Sequence, residues 1–142
     1  MQYISAEEFL KQPSEVRKVF RDWWKENMQI CDLYETTGKR SIISHIEGRE
    51  HLNAVKDFID DTIPLLTEGQ LRKFIEDKTG GTIDLYYTHM EDKYYKTINK
   101  AKYLELSDLR EIIFRMRFKS DEDIFKGYWK CALKIARGEF RK

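Results

Sequence analysis

The order of hydrophobic patterns along the 142-residue chain limits the folds that it can adopt. Some segments repeat apolar residues with the 3.6-residue period of a helix, and others show the composition and alternation of strands. The strand-like segments come in two pairs, and helical segments separate the pairs. Because this order lacks the regular strand-helix-strand alternation of a parallel sheet, it predicts an α+β fold with antiparallel β-hairpins packed with about six helices.

Capping residues, prolines and glycines delimit the helical segments. Ser5 with Glu8, and Thr67 with Gln70, match the capping box that opens a helix. Proline is tolerated in the first turn of a helix but not in its interior, and a glycine pair commonly ends one. The predicted helices are residues 6–12, a second helix from Pro13, residues 49–61, residues 67–80 ending at Gly80-Gly81, residues 107–118, and a last helix from Ser120.

The second helix carries a regular apolar stripe formed by Val16, Val19, Phe20, Trp23 and Trp24. Their spacing is that of one face of an amphipathic helix, which predicts burial in the core. The alternative is that the two tryptophans form an exposed contact surface, since tryptophan is enriched at interface hot spots.

The first predicted hairpin joins strands 30–36 and 39–46 through a two-residue turn at Thr37-Gly38. A turn of that length would place Glu35 opposite Arg40, which is a favourable cross-strand charge pair.

The second predicted hairpin joins strands 82–90 and 93–99 around Glu91-Asp92. A two-residue turn would place Leu85 opposite Ile98. Glu-Asp is a poor sequence for such a turn, so a longer loop with another register is the alternative.

The length is typical of a single domain, here expected over residues 1–142. No signal peptide is expected, and no run of 18 apolar residues predicts a membrane span. Cys31 and Cys131 lie 100 positions apart without a metal-type spacing. Both are expected to be reduced and packed as small hydrophobic residues.

The sequence contains no recognisable catalytic signature. It has no Gly-rich phosphate loop and no GxSxG elbow. His45, Glu47 and His51 do not have the spacing of a zinc motif, and we expect them to be ordinary polar positions. No catalytic residue, cofactor or metal is predicted, so an enzyme is the weaker hypothesis.

The charge is divided unevenly along the chain. Lys and Arg number 26 against 25 Asp and Glu, a net charge of +1. Residues 110–142 hold ten basic and five acidic residues, a local +5, which leaves −4 for residues 1–109. A globally basic nucleic-acid binder and an acidic mimic of DNA are therefore both excluded.

The local excess of positive charge is concentrated on the last helix. At about 100° per residue, its basic side chains fall within an arc of about 80°. Such a ridge can neutralise phosphates or contact an acidic protein surface, and the alternative is an ordinary solvated face. The predicted binding residues are Lys126, Lys130, Lys134, Arg137 and Arg141.

Two tyrosines of the second hairpin form another candidate site. If one sheet face is open to solvent, Tyr86 and Tyr95 can stack on nucleic-acid bases or on a nucleotide ring. If helices cover that face, both rings belong to the core instead.

Four stretches resemble small uncharacterised proteins of bacteriophages and prophages of Gram-positive bacteria. They are YISAEEFL and VRKVFRDWW near the start, IPLLTEGQLRKFIEDKTGG at residues 63–81, and YWKCALKIAR at residues 128–137. The resemblance implies a viral accessory protein that acts in the cytoplasm of an infected or lysogenic bacterium.

Small phage proteins of this kind often bind a host component stoichiometrically, as anti-CRISPR and other anti-defence inhibitors do. The resemblance therefore implies a non-enzymatic inhibitor of a host defence protein or of a signalling nucleotide. The alternative is a nucleic-acid-associated protein of replication or packaging that uses the basic last helix. The oligomeric state is not predicted.

Overall fold

The computed structural model describes residues 2–38, 42–92, 97–107, 112–118 and 123–139. Its elements are α1 (Ala6–Leu10), α2 (Ser14–Asn27), β1 (Leu33–Thr36), β2 (Ser44–His45), α3 (Arg49–Asp57), β3 (Thr62–Pro64), α4 (Glu68–Thr79), β4 (Thr82–Asp92), β5 (Thr97–Ser107), β6 (Ile112–Phe118) and α5 (Asp123–Ala136), with a short 3-10 helix at Ile59–Asp61.

The fold is mixed α and β with antiparallel sheets, as predicted. The chain forms two compact units, Met1–Thr67 and Glu68–Lys142. The single domain expected over residues 1–142 stays a prediction. Among the described residues, no helix is long and apolar enough to cross a membrane.

Helix α1 begins at Ala6 as predicted but ends at Leu10, before the predicted Gln12, and α2 begins at Ser14, directly after Pro13. The Ser5 hydroxyl accepts a hydrogen bond from the Glu8 backbone N–H at 3.1 Å, which satisfies one unpaired donor of the first turn of α1. On α2 the predicted stripe faces the core: Val16, Phe20, Trp23 and Trp24 are buried, and Val19 is half-buried. Both tryptophans are therefore core residues.

The first sheet has the strand order β2-β1-β3, and β1 pairs antiparallel with both neighbours. The predicted hairpin register is wrong, since Tyr34 lies opposite Ser44 and residues 37–43 connect the two strands. The Thr37 N–H donates to the Asp61 carbonyl oxygen at 2.8 Å, so Thr37 extends the pairing toward β3 instead of turning. The two-residue turn fails because a strand elsewhere in the sequence competes for the end of β1.

Strand β3 was not predicted, because three residues are too few to show a period and Pro64 lacks a backbone N–H. At the edge of the sheet this missing donor costs no ladder hydrogen bond. All three residues of β3 are buried.

Helix α3 begins at Arg49 as predicted but ends at Asp57, before the predicted Asp61. The 3-10 turn that follows is closed by the Thr62 hydroxyl, which donates to the Ile59 carbonyl oxygen at 2.6 Å. Val55 and Ile59 are buried, and Leu52 is half-buried. The side of α3 that faces away from Val55 and Ile59 is exposed to solvent.

In the second unit, α4 ends at Thr79, so the glycine pair Gly80-Gly81 ends the helix as predicted. Gly80 has a φ of 70°, a left-handed conformation that glycine adopts without a steric penalty. Its N–H donates to the Glu76 carbonyl oxygen at 2.8 Å and completes the last turn.

The second sheet has the strand order β4-β5-β6. Leu85 lies opposite Leu104, and Ile98 lies opposite Glu91, so the two-residue turn is wrong and the longer loop is confirmed. The strands extend to Asp92 and begin again at Thr97.

The helix predicted over residues 107–118 is wrong, because residues 112–118 form β6. The described part of the chain accordingly holds five α-helices instead of about six. Arg115 lies opposite Glu105 of β5 and donates to its carboxylate at 2.9 Å. Pairing with β5 overrides a helical spacing that the same residues also satisfy.

Helix α4 covers the edge of β4 with one ion pair. Arg72 Nη2 donates to the Ile83 carbonyl oxygen at 2.8 Å, and the Ile83 N–H donates to Glu76 Oε1 at 3.2 Å. Arg72 Nε also donates to Glu76 Oε1. Both outward backbone groups of Ile83 are therefore paired, which protects this edge from association with another strand.

Candidate functional site

Helix α5 exposes a narrow set of basic side chains that we name the basic strip: Lys126, Lys130, Lys134 and Arg137. Lys126, Lys130 and Arg137 are exposed, and Lys134 is half-buried. Arg141, the fifth predicted cation, lies outside the described residues.

The side of α5 opposite the basic strip is buried in the middle of the helix and half-buried toward its ends. Gly127, Tyr128, Trp129, Cys131, Ala132 and Leu133 are buried, and Ile124, Ile135 and Ala136 are half-buried. At about 100° per residue the buried positions span an arc of about 240°. Since α5 packs against α4 and β6, the basic strip is the side of the helix left to solvent.

Two cations of the basic strip have no acidic partner in the described part of the chain. No carboxylate there lies within 4.0 Å of the Lys126 or Lys130 ammonium group. Within the described residues, both are thus available to meet a charge on a partner.

The aromatic candidate site of the second hairpin is only partly placed by the structure. Tyr86 lies in β4 with its backbone opposite Tyr103. Tyr95 and the side chain of Tyr86 lie outside the part of the chain that the structure describes. Stacking by these two rings, with burial in the core as its alternative, stays a prediction.

The two cysteines have opposite environments. Cys131 is fully buried as predicted, and burial raises the pKa of its thiol to about 12. Cys31 is exposed, so its predicted packing is wrong. It has a φ of 77°, and its N–H donates to the Ile46 carbonyl oxygen at 2.8 Å, which holds the turn before β1.

We expect a thiol reagent such as 5,5′-dithiobis(2-nitrobenzoate) to modify Cys31 rapidly and Cys131 only after unfolding. At pH 8, a thiol with a pKa of about 12 is ionised in roughly one molecule in 10⁴, and the thiolate is the nucleophile. Absorbance at 412 nm should show one rapid equivalent per chain, and a second in guanidinium chloride. Cys31→Ser should abolish the rapid phase, and a rapid phase that persists in this variant would contradict the assignment.

His51 makes hydrogen bonds through both ring nitrogens. Nδ1 accepts from the Glu47 backbone N–H at 3.1 Å, so Nε2 carries the proton of the neutral ring and lies 2.7 Å from the Tyr34 hydroxyl. Among the described residues, no group of three or more His, Cys, Asp or Glu side chains is placed to hold a metal ion. His51 fastens the start of α3 to β1.

The first unit contains a groove that the sequence did not predict, with a volume of about 520 Å³. One wall is the turn formed by residues 28–30 after α2. The other wall is the open side of α3, where Arg49, Leu52, Asn53 and Lys56 recur at helical spacing. That spacing was visible in the sequence, but the position of the turn against it was not.

Comparison of the chain with protein-family models, with curated proteins and with solved structures finds no match.

Proposed function

We propose that this protein is a non-enzymatic phage accessory protein that blocks a host defence protein by stoichiometric binding, as anti-CRISPR inhibitors do. The basic strip is the contact surface. The single observation that carries the proposal is its placement: cations line the solvent side of a helix whose opposite side is buried in its middle turns.

The dimensions of the basic strip favour an acidic protein surface as the partner. From Lys126 to Arg137 a helix rises about 16 Å, which matches one patch of a standard protein interface more closely than an extended nucleic-acid channel. The net charge of +1 gives little long-range attraction to nucleic acid. A local basic surface on a nearly neutral protein instead directs association with a complementary patch.

The setting of the proposal is the cytoplasm of an infected or lysogenic bacterium. Its support is the resemblance of residues 63–81 and 128–137 to phage and prophage proteins. Both segments contribute core positions of the second unit, in α4 and α5.

Affinity capture with matched charge-reversal variants tests this proposal. The tagged protein is expressed in a Gram-positive host with an active defence system, and captured proteins are identified by mass spectrometry. We expect a defence component in an equimolar complex and restored phage plating. The variant K126E/K130E should lose at least about tenfold in affinity, since each reversed cation repels an acidic partner.

The matched control is K18E/K73E, which makes the same change in net charge. Lys18 and Lys73 are exposed, lie outside the basic strip, and form surface pairs with Asp22 and Asp77. Such pairs contribute little to stability, so binding should remain within about twofold. A complex that survives K126E/K130E, or catalytic turnover without any partner, would contradict the proposal.

The exposed lysines also favour a second candidate, a nucleic-acid-associated protein of replication or packaging. If three cations meet phosphates of duplex DNA, the logarithm of the binding constant should fall against the logarithm of salt with a slope of about −3. A gel-shift series across salt measures this slope. Binding that is absent at low salt, or unchanged when the five predicted cations become alanine, excludes this function.

A further inference from the structure

The groove between the turn at residues 28–30 and α3 has the size of a ligand site. Its volume is about 520 Å³, and ligand pockets commonly measure roughly 300 to 1,000 Å³. It lies within the first unit and takes no residue from the basic strip. Its role is therefore separate from the contact proposed above.

The lining of the groove combines three kinds of side chain. Met28, Ile30 and Leu52 supply apolar surface, and Ile30 is 54% exposed although it is a large hydrophobic residue. Arg49 and Lys56 supply two positive charges. The described residues of the lining include no carboxylate that would neutralise these cations.

Gln29 and Asn53 add one amide from each wall of the groove. Each amide offers both a donor and an acceptor, which is the pattern needed to pair with the edge of a heterocyclic base. A fatty acid would meet the cations and the apolar surface but would make no use of these amides.

We propose that the groove binds a nucleotide with more than one phosphate. The base lies on the apolar surface and pairs with Gln29 and Asn53, and the phosphates are held by Arg49 and Lys56. The two cations stand two helical turns apart, about 10 Å along the axis, which suits a chain of phosphates better than a single one.

The turn that carries Gln29 is fixed before any ligand binds. Asp32 Oδ2 accepts the Gln29 backbone N–H at 2.9 Å and the Trp24 indole N–H at 3.0 Å. Trp24 is fully buried, so this carboxylate ties the turn to the core. A site with a wall held in this way loses less entropy when it binds its ligand.

A titration followed by two-dimensional NMR tests this proposal on the whole chain. The probes are ADP, GDP, CDP and UDP. Two further ligands each lack one part of a nucleotide: adenosine lacks the phosphates, and inorganic pyrophosphate lacks the nucleoside. At least one diphosphate should bind with a Kd below about 1 mM and shift the amides of residues 28–30 and 49–56. Adenosine and pyrophosphate should each bind at least about tenfold more weakly than that nucleotide.

Two variants separate the roles of the cations and the amides. R49Q/K56Q should weaken the nucleotide and pyrophosphate by at least about tenfold, because charge-assisted hydrogen bonds to phosphate are lost. Asn53→Leu should weaken only ligands that carry a base. The control K18Q/K73Q removes the same charge outside the groove and should leave binding within about twofold.

Three results would overturn the proposal. One is the absence of binding by all four diphosphates, and another is binding that R49Q/K56Q leaves unchanged. The third is a set of shifts confined to α5, which would reflect attraction to the basic strip alone. None of these results affects capture of a protein partner, so the two proposals fail independently.

Discussion

Replacing Asp32 with alanine is expected to lower the free energy of unfolding by about 1 to 3 kcal/mol, and replacing it with asparagine by clearly less. One carboxylate oxygen accepts both the Trp24 indole N–H and the Gln29 backbone N–H. Alanine leaves the indole N–H of a buried tryptophan without a partner, which costs its desolvation. Asparagine places an amide oxygen at the same position and keeps both hydrogen bonds.

Urea unfolding followed by tryptophan fluorescence measures this difference. Two of the three tryptophans, Trp23 and Trp24, belong to the first unit, so the signal reports on the region that Asp32 supports. Equal losses for the alanine and asparagine variants would show that the accepted hydrogen bonds contribute nothing.

The same pair of proteins gives a prediction for pH. Burial raises the pKa of Asp32 above its ordinary value of 3.8, and the hydrogen bonds from Gln29 and Trp24 oppose this shift only in part. Between pH 3.8 and the folded pKa, the folded state therefore holds a proton that the unfolded chain has released. The stability that protonated Asp32 contributes is complete below pH 3.8, and it is lost as pH rises through the folded pKa. Asparagine does not titrate, so Asp32→Asn removes this dependence of stability on pH.

We expect the stability of Asp32→Asn relative to the parent protein to rise with pH above about 3.8 and then level off. Unfolding measured in urea at several pH values between 3 and 7 provides the comparison. A difference that stays constant across this range would contradict the burial of this carboxylate.

Local signals were sufficient to predict the helices whose boundaries depend on a few neighbouring residues. The side chain of Ser5 caps α1, and Gly80 ends α4 through its own backbone conformation. Four of the five stripe residues of α2 are buried as predicted, and Val19 is half-buried, because spacing determines which residues share a face.

The predictions of secondary structure were wrong where segments distant in the sequence compete to pair with the same residues. The first hairpin has a long connection because Thr37 pairs with Asp61, which the local turn sequence cannot reveal. Residues 112–118 satisfy a helical spacing, yet they form strand β6 because they pair with β5. Arg115 of β6 donates a hydrogen bond to the Glu105 carboxylate of β5. Strand β3 was missed since three residues carry no period.

The basic strip and the groove also differ in how far the sequence alone predicts them. The basic strip lies on one helix, so its composition follows from the sequence spacing of Lys126, Lys130 and Arg137. The groove joins α3 to a turn about 20 residues earlier, and their juxtaposition depends on the fold of the first unit. Sequence spacing therefore predicts sites on a single element, and it does not predict sites between two.

Replacing Gly81 with alanine is expected to destabilise the second unit by about 1 to 3 kcal/mol. A Cβ atom at this position would lie 2.9 Å from the Ser107 carbonyl oxygen and 2.9 Å from Leu106 Cδ1. Leu106 is fully buried and Ser107 contributes backbone, so neither neighbour can move without disturbing the pairing of β4 with β5. Thermal unfolding followed by circular dichroism measures the loss.

Gly69→Ala is the matched control, because a Cβ atom there has no neighbour within 4 Å and Gly69 lies inside α4. Both substitutions reduce the freedom of the unfolded chain by a similar amount, so their difference isolates the contacts in the folded state. Gly69→Ala should raise stability by about 0.5 to 1 kcal/mol, since alanine is favoured over glycine in a helix. If both variants shift the unfolding temperature in the same direction, the close approach of Gly81 to β5 does not constrain the fold.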